Sequence, residues 1–367
     1  MKIAVPRETA EGETRVALTP QIAGQLIGDG AEVLVQSGAG DASGNLDEAY
    51  REAGATIVPD AASLYSQADM VLRVGRPSDE EVEMLRDGTI LIGTLGTLAK
   101  PELAQKLAKR GVTAISMDAI PRITRAQSMD TLSSQATVGG YKAVLIAAER
   151  LPKFFPLLTT AAGTIRPARG IVMGAGVAGL MAIGTARRLG AVVEATDVRP
   201  VVKEQVESLG AKFLEVPSTE DAQTASGYAK EVSEDYKRAQ AALITDALRR
   251  CDACVTTALI PGRPAPKLVT AEQAAAMRPG SVLVDLAAEQ GGNCELTRPG
   301  ETHVVDGVTY IGERNLPSQL AVHASQMYSR NMEKLLLHIT KDAEWKLDLG
   351  DEITRGLIVT RDGEVLR

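Results

Sequence analysis

Apolar residues along this chain fall into short, nearly unbroken runs separated by segments with helical spacing. In the first third the runs are Lys2-Ile3-Ala4-Val5, Glu32-Val33-Leu34-Val35, Thr56-Ile57-Val58, Met70-Val71-Leu72-Arg73-Val74, Thr89-Ile90-Leu91-Ile92 and Val112-Thr113-Ala114-Ile115-Ser116. Runs of this kind, without polar alternation, suit strands of a sheet covered on both faces. Between them, Glu102-Leu103-Ala104-Gln105-Lys106-Leu107-Ala108-Lys109 has helical periodicity and stops at Gly111. Thr19 followed by Pro20 opens an earlier helix, as cap and first helical residue. Strand and helix alternate, which predicts a parallel-sheet α/β domain.

The pattern then changes. Arg122 to Asp130 is polar throughout most of its length, and a long helical stretch begins near Leu132. Gly139 and Gly140 sit inside that helix at a cost of about 1 kcal/mol each, which close helix packing would offset. Strand runs resume at Ile171, Val192, Lys212-Phe213-Leu214, Cys254-Val255-Thr256-Thr257, Ser281-Val282-Leu283-Val284-Asp285 and Thr309-Tyr310-Ile311. The polar stretch from Glu215 to Ala241, with Ser226-Gly227-Tyr228-Ala229-Lys230 inside it, is longer than an ordinary connection. It reads equally as a lid or as a partly helical surface insertion. A helix from Pro317 to about His338 is expected to pack back onto the first domain. That makes the first domain discontinuous, 1–132 plus 318–367, around a second domain at 133–317. The overall expectation is two doubly wound parallel-sheet (Rossmann-like) α/β domains with a cleft between them.

One stretch carries chemistry. Arg169-Gly170-Ile171-Val172-Met173 reads as a buried strand, Gly174-x-Gly176-x-x-Gly179 as a glycine turn, and Val177 to Leu189 as a helix closed by Gly190. This is the dinucleotide fingerprint. Gly174 permits the tight turn, Gly176 admits a pyrophosphate, and Gly179 lets helix and strand approach. The helix start at Val177 and Ala178 supplies free N–H groups and a positive dipole end. Asp197, at the tip of the following strand, is placed to accept hydrogen bonds from adenosine ribose hydroxyls, and its charge would repel a 2′-phosphate. That favours NAD over NADP, although Arg199 nearby is a residue type that can accommodate such a phosphate. The polar segment at 122–130 then reads either as a solvated interdomain loop or as a loop at the cleft mouth that meets the nicotinamide end.

With 367 residues, two domains are the natural expectation. Aromatic residues make up 3% of the chain, so aliphatic side chains must fill the cores, and the net charge of -7 argues against a nucleic-acid surface. The start Met1-Lys2-Ile3-Ala4-Val5-Pro6-Arg7-Glu8 becomes charged too early for a secretory signal. No segment approaches the roughly 20 apolar residues of a spanning helix. The expectation is a cytoplasmic chain that reaches a membrane only by docking. Cys251-Asp252-Ala253-Cys254 has CxxC spacing but runs into a strand, and the third cysteine and three histidines offer no matching zinc spacing. A buried, inert pair is expected, and no metal site.

These residues resemble the NAD(H)-binding component of proton-translocating nicotinamide nucleotide transhydrogenase over essentially the whole chain. Val5-Pro6-Arg7-Glu8 and Glu13-Thr14-Arg15-Val16-Ala17-Leu18-Thr19-Pro20 are shared with the related alanine dehydrogenases. More specific are Arg122-Ile123-Thr124-Arg125-Ala126-Gln127-Ser128-Met129-Asp130, Thr160-Ala161-Ala162-Gly163-Thr164, Thr196-Asp197-Val198-Arg199, Gly227-Tyr228-Ala229-Lys230-Glu231 and Thr256-Thr257-Ala258-Leu259-Ile260-Pro261-Gly262. The resemblance implies that Arg122, Gln127, Asp130 and Ser133 surround the nicotinamide and its ribose. It implies a cofactor set of Gly174, Gly176, Val177, Ala178, Gly179, Asp197, Val198, Arg199, Thr257 and Ala258, with Tyr228 closing over bound NAD(H). It further implies a homodimer, a partner domain that binds NADP(H), and a membrane-spanning partner subunit at the inner membrane.

An alanine dehydrogenase is the alternative enzyme. Its chemistry needs a carboxylate anchor, for which Arg15 is available, and a proton-transfer group. Where those enzymes resemble this chain but present a lysine, Arg73 stands, and Gly93-Thr94-Leu95-Gly96-Thr97-Leu98 holds no histidine. A subunit that senses NAD without catalysis is the alternative outside enzymes.

Overall fold

The structure is a computed structural model that describes residues 1–216, 234–260, 262–341 and 344–367. It divides into two compact units, Met1–Gln135 with Pro317–Arg367, and Ala136–Leu316. The expected lid residues Ser226 to Lys230, Tyr228 included, lie outside the described residues.

The first unit is built on β1 (Lys2–Val5), β2 (Glu32–Gln36), β3 (Thr56–Val58), β4 (Met70–Leu72), β5 (Ile90–Gly93) and β6 (Thr113–Ser116). These six pair in parallel in the order β6-β5-β4-β1-β2-β3. Successive residues face opposite sides. Ile3, Val33, Val35, Leu72 and Ile92 enter one core, while Ala4, Leu34, Val71 and Leu91 enter the other. β4 is shorter than the apolar run, because Glu8 Oε1 accepts the Val74 N–H at 2.5 Å in place of a neighbouring strand. Thr19 stands at the cap of the helix Pro20–Gly28 but its side chain makes no cap bond. Its backbone N–H donates instead to Ser329 Oγ at 3.0 Å.

The second unit opens with an exposed hairpin, β7 (Leu158–Thr160) and β8 (Gly163–Ile165), which the apolar pattern does not predict. Its main sheet contains β9 (Arg169–Met173), β10 (Val192–Thr196), β11 (Lys212–Phe213), β12 (Ala253–Thr256), β13 (Val282–Asp285), β14 (Thr302–Val305) and β15 (Val308–Ile311). The order β11-β10-β9-β12-β13-β15-β14 is doubly wound about β9, with β14 as an antiparallel edge. The long helix Thr131–Arg150 packs here through Ala143, Val144 and Ala147. A Cβ on Gly140 would lie 2.1 Å from the Ala178 carbonyl oxygen, so the mid-helix glycine is the condition for that approach.

The tail supplies β16 (Thr340–Lys341), β17 (Glu344–Trp345), β18 (Ile358–Arg361) and β19 (Glu364–Val365). The helix Ala321–Ile339 covers one face of the first sheet with Tyr328, Met332 and Leu335. β18 joins β6 antiparallel, with a register shift between Ile358 and Thr360. Cys251, Cys254 and Cys294 are buried, and burial pushes the thiols up, Cys251 to about 12, so none is a ready thiolate.

Candidate functional site

The strand β9 ends at Met173, and Gly174 turns the chain with φ +98°, donating its N–H to the Thr196 carbonyl at 2.8 Å. Gly176 is the N-cap of the helix Val177–Arg188. A Cβ on Gly179 would stand 1.8 Å from the Gly174 carbonyl oxygen, which forbids any larger residue. Gly176 differs, because a Cβ there would meet nothing in the protein closer than Arg199 Nη2 at 3.8 Å. The protein's own packing therefore requires Gly174 and Gly179, and leaves Gly176 open to something approaching from outside. The first-turn N–H groups, at Val177 and Ala178 among others, have no intrahelical acceptors by construction of a helix start, and the dipole there favours an anion.

Asp197 follows β10 and its carboxylate is pinned by four donors. Oδ2 accepts from the Ala175 N–H at 2.7 Å and Arg199 Nη2 at 2.9 Å; Oδ1 accepts from the Arg199 N–H at 2.8 Å and Nε at 2.9 Å. Burial pushes this carboxyl up, but the hydrogen bonds from Arg199 and Ala175 outweigh it and hold the group below its usual range. Asp197 is thus an ionised acceptor aimed at the edge of the glycine turn. Arg199, read from sequence as a nearby cation, is committed to it in a bidentate fork. Val198 between them is 38% exposed.

On the other side of β9, β12 delivers Thr257 and Ala258. The Thr257 N–H donates to the Met173 carbonyl at 2.9 Å and Oγ1 to the Gly174 carbonyl at 3.0 Å, so this loop is tied to the glycine turn. Ala258 is held by Asn293, a residue that no sequence motif marks, whose Oδ1 accepts the Ala258 N–H at 2.9 Å. The signal for it in the sequence is indirect, a strand run ending in Asp285 and followed by Gly291-Gly292.

In the first unit, Thr124–Met129 forms a 3-10 helix just before Thr131–Arg150. Ala126 and Met129 are buried in the core, which leaves Arg122 and Gln127 on the exposed side. Asp130 and Ser133 come together as a helix cap: Oδ1 accepts the Ser133 N–H at 2.9 Å and Oδ2 the Ser133 hydroxyl at 2.6 Å. Asn331 Nδ2 donates to the Ser128 carbonyl at 2.7 Å and Arg125 Nη2 to Asp351 Oδ1 at 3.1 Å, fastening the segment to the tail.

The positions that bear on amino-acid dehydrogenation are sealed. Arg73 is fully buried, its Nη2 3.1 Å from Glu8 Oε2 and its Nη1 2.9 Å from Glu81 Oε2. Burial pulls the guanidinium down, but the two carboxylates more than counter it, so Arg73 stays charged and gives up no proton. Arg15 lines a cavity of about 700 Å³ with Arg7, Glu13, Gln36 and Asp41, yet its guanidinium is forked onto Glu13 at 2.6 and 2.7 Å and reaches Gln135 at 2.8 Å. The fold also brings His323 and His338 into the first unit, so distance in sequence does not separate them from it. His338 Nε2 is occupied by Asp351 Oδ2 at 2.9 Å.

The family described as alanine dehydrogenase/PNT, N-terminal domain, matches residues 4–139, and the corresponding C-terminal domain matches residues 143–367. The first segment of a split NAD(P) transhydrogenase subunit alpha, from Rhodospirillum rubrum, is 48% identical over 375 residues, spanning 100% of this chain and 98% of that protein. The crystal structure of transhydrogenase from Sinorhizobium meliloti superposes with a TM-score of 0.90 at 42% identity, covering 100% of both chains. An L-alanine dehydrogenase structure follows with a TM-score of 0.83 at 27% identity, over 100% of this chain and 96% of that one. The chain belongs to the alanine dehydrogenase/PNT family, as a homologue of NAD(P) transhydrogenase alpha subunits.

Proposed function

We propose that this chain is the NAD(H)-binding subunit of a proton-translocating nicotinamide nucleotide transhydrogenase. One observation carries the reading: an ionised Asp197 pinned at the tip of β10, beside a glycine turn whose middle residue, Gly176, has room only an outside group would use. Those features fit a dinucleotide that lays its ribose on the carboxylate and its pyrophosphate on the helix start.

Bound NAD(H) supplies a hydride donor or acceptor at its nicotinamide ring. The chain's own residues bind and orient. The Val177–Ala178 N–H groups neutralise phosphate charge, Asp197 accepts the ribose hydroxyls between Val198 and Arg199, and Thr257 with Ala258 borders the remaining half. Arg122 and Gln127, presented by a segment that Asp130 and Ser133 terminate, supply polar groups for the ring and its ribose. Tyr228 closes over the bound cofactor. Direct hydride transfer between two such rings asks the protein for alignment and exclusion of water, not for an acid, a base or a metal. The pairing of Arg15 with Glu13 and the burial of Arg73 argue against amino-acid dehydrogenation, which needs an open anchor and a proton-transfer group.

That the Rhodospirillum rubrum relative is itself one segment of an alpha subunit supports the partner assignment: a separate domain holds NADP(H), and a membrane subunit couples the transfer to proton movement. Among the described residues no helix is long and apolar enough to cross a membrane. This chain then works at the inner membrane through those partners. A homodimer is supported by the exposed β7–β8 hairpin and its neighbours, with Phe154 55% and Leu157 58% exposed.

The test is reduction of an NADP⁺ analogue with distinct absorbance by NADH, before and after adding an NADP(H)-binding transhydrogenase domain, with pyruvate plus ammonium in parallel. Transfer that requires the added domain supports the reading. Consumption of NADH by pyruvate and ammonium alone overturns it.

A further inference from the structure

The ends of β12 and β13 are joined by a buried network that the dinucleotide reading leaves unexplained. Asn293 is fully buried. Its side-chain amide exchanges two hydrogen bonds with the backbone of Ala258: Oδ1 accepts the N–H at 2.9 Å, and Nδ2 donates to the carbonyl at 2.8 Å. Nδ2 also donates to the Pro266 carbonyl at 2.8 Å. The amide thus continues the ladder of β12 one step past its last strand residue, where no backbone neighbour is available.

Asn293 is itself held rigidly. Its N–H donates to Asp285 Oδ2 at 2.7 Å, and its carbonyl accepts from the Leu268 and Val269 N–H groups at 2.7 and 3.1 Å. The Asp285 carboxylate, fully buried, also accepts from the Ala287 and Cys294 N–H groups and from the Thr297 hydroxyl. Every link from Asp285 through Asn293 and Ala258 to Thr257 and the Gly174 carbonyl is a short hydrogen bond between groups with little freedom.

Sheet order decides which part of a ligand this chain of bonds serves. Asp197 stands beyond β10 on one side of β9, and Ala258 beyond β12 on the other. A dinucleotide with its adenosine ribose on Asp197 and its pyrophosphate over β9 extends its second half past β12. We propose that Asn293 is a positioning residue that fixes the Thr257–Ala258 backbone as the wall of the nicotinamide half of the site, leaving the adenosine half to other elements. This rests on the reading of the chain as an NAD(H)-binding protein.

The test compares Asn293→Ala and Asn293→Ser with the natural chain, full length, by calorimetric titration with NADH and separately with 5′-AMP. Loss of the three side-chain bonds is expected to weaken NADH by about tenfold or more, with 5′-AMP affinity held within about twofold because Asp197 and the glycine turn are untouched. If NADH and 5′-AMP weaken together, or if neither changes, Asn293 does not position the nicotinamide wall. Should Asn293→Ala fail to fold, the smaller perturbation in Asn293→Ser gives the same ratio to read. If the natural chain binds neither ligand, the nucleotide reading fails first and takes the proposal with it.

Discussion

The guanidinium of Arg199 grips the carboxylate of Asp197 at two points, Nε to Oδ1 and Nη2 to Oδ2, each at 2.9 Å. The pair fixes both the direction and the charge of the group that meets the ribose. Asp197→Asn is expected to weaken NADH by about 1.5–3 kcal/mol, the worth of hydrogen bonds to a charged group. The carboxyl is depressed, so NADH binding by the natural chain holds as pH falls through the ordinary carboxylate range near about 4 and weakens only below it. Arg199→Ala removes the first of the opposing hydrogen bonds, and the pH at which binding weakens moves up. Fluorescence titration of NADH across pH reads both effects.

Gly176 and Gly179 have opposite expected phenotypes. Gly176→Ala meets no protein atom nearer than 3.8 Å, so the fold keeps its melting temperature while NADH affinity drops. Gly179→Ala pushes a methyl to 1.8 Å from the Gly174 carbonyl, so stability falls along with binding. Thermal melts paired with NADH titrations separate the two.

Gln127 is exposed on a segment whose packing is done by Ala126 and Met129. Gln127→Ala is therefore expected to change stability by less than about 0.5 kcal/mol. NADH affinity should persist while transfer to an NADP⁺ analogue slows by about tenfold or more, through loss of ring alignment. A subunit that only senses NAD would show no such split.

Arg73→Met leaves Glu8 and Glu81 buried without their shared cation. The expected cost is about 3–5 kcal/mol, measured by urea unfolding, because breaking one partner of a buried ion cluster strands the others. NADH affinity is expected to stay constant in the folded fraction.

Glu13 sets part of the acid limit. Burial pushes its carboxyl up, but the hydrogen bonds and charge of Arg15 prevail and bring it to about 2 from 4.5. A depressed carboxyl contributes stability that is present above the unfolded value and lost as pH falls through the folded one. The window for Glu13 thus runs from 4.5 down to about 2. In Glu13→Gln, denaturation midpoints followed across that window should show a shallower slope.

What the sequence discloses depends on how local each signal is. β9, its glycine turn and the following helix declare themselves within consecutive residues, since strand run, turn glycines and Gly190 with φ +92° all act on near neighbours. β18 and β19 are invisible there because they gain their meaning from β6, with Thr360 paired to Ala114 across 246 positions. Thr19 looks like a helix cap by position, yet Ser329, 310 residues away, competes for that end of the helix. Asn293 carries no pattern at all, since only the folded sheet brings it beside Ala258. Asp130 and Ser133 stand out as polar residues, and their mutual capping bonds give that polarity a local cause.

The return of the tail to the first sheet has a consequence for synthesis. Residues 136–316 can complete their own core once they have emerged from the ribosome. The sheet of β1 to β6, although made earlier, must wait for Tyr328, Met332 and Leu335 to cover Ile3, Val33 and Val35, and for Ile358 to seal the β6 edge. During that interval its apolar face and an open strand edge are bare, which marks the nascent first unit, rather than the second, as the natural client of a holding chaperone.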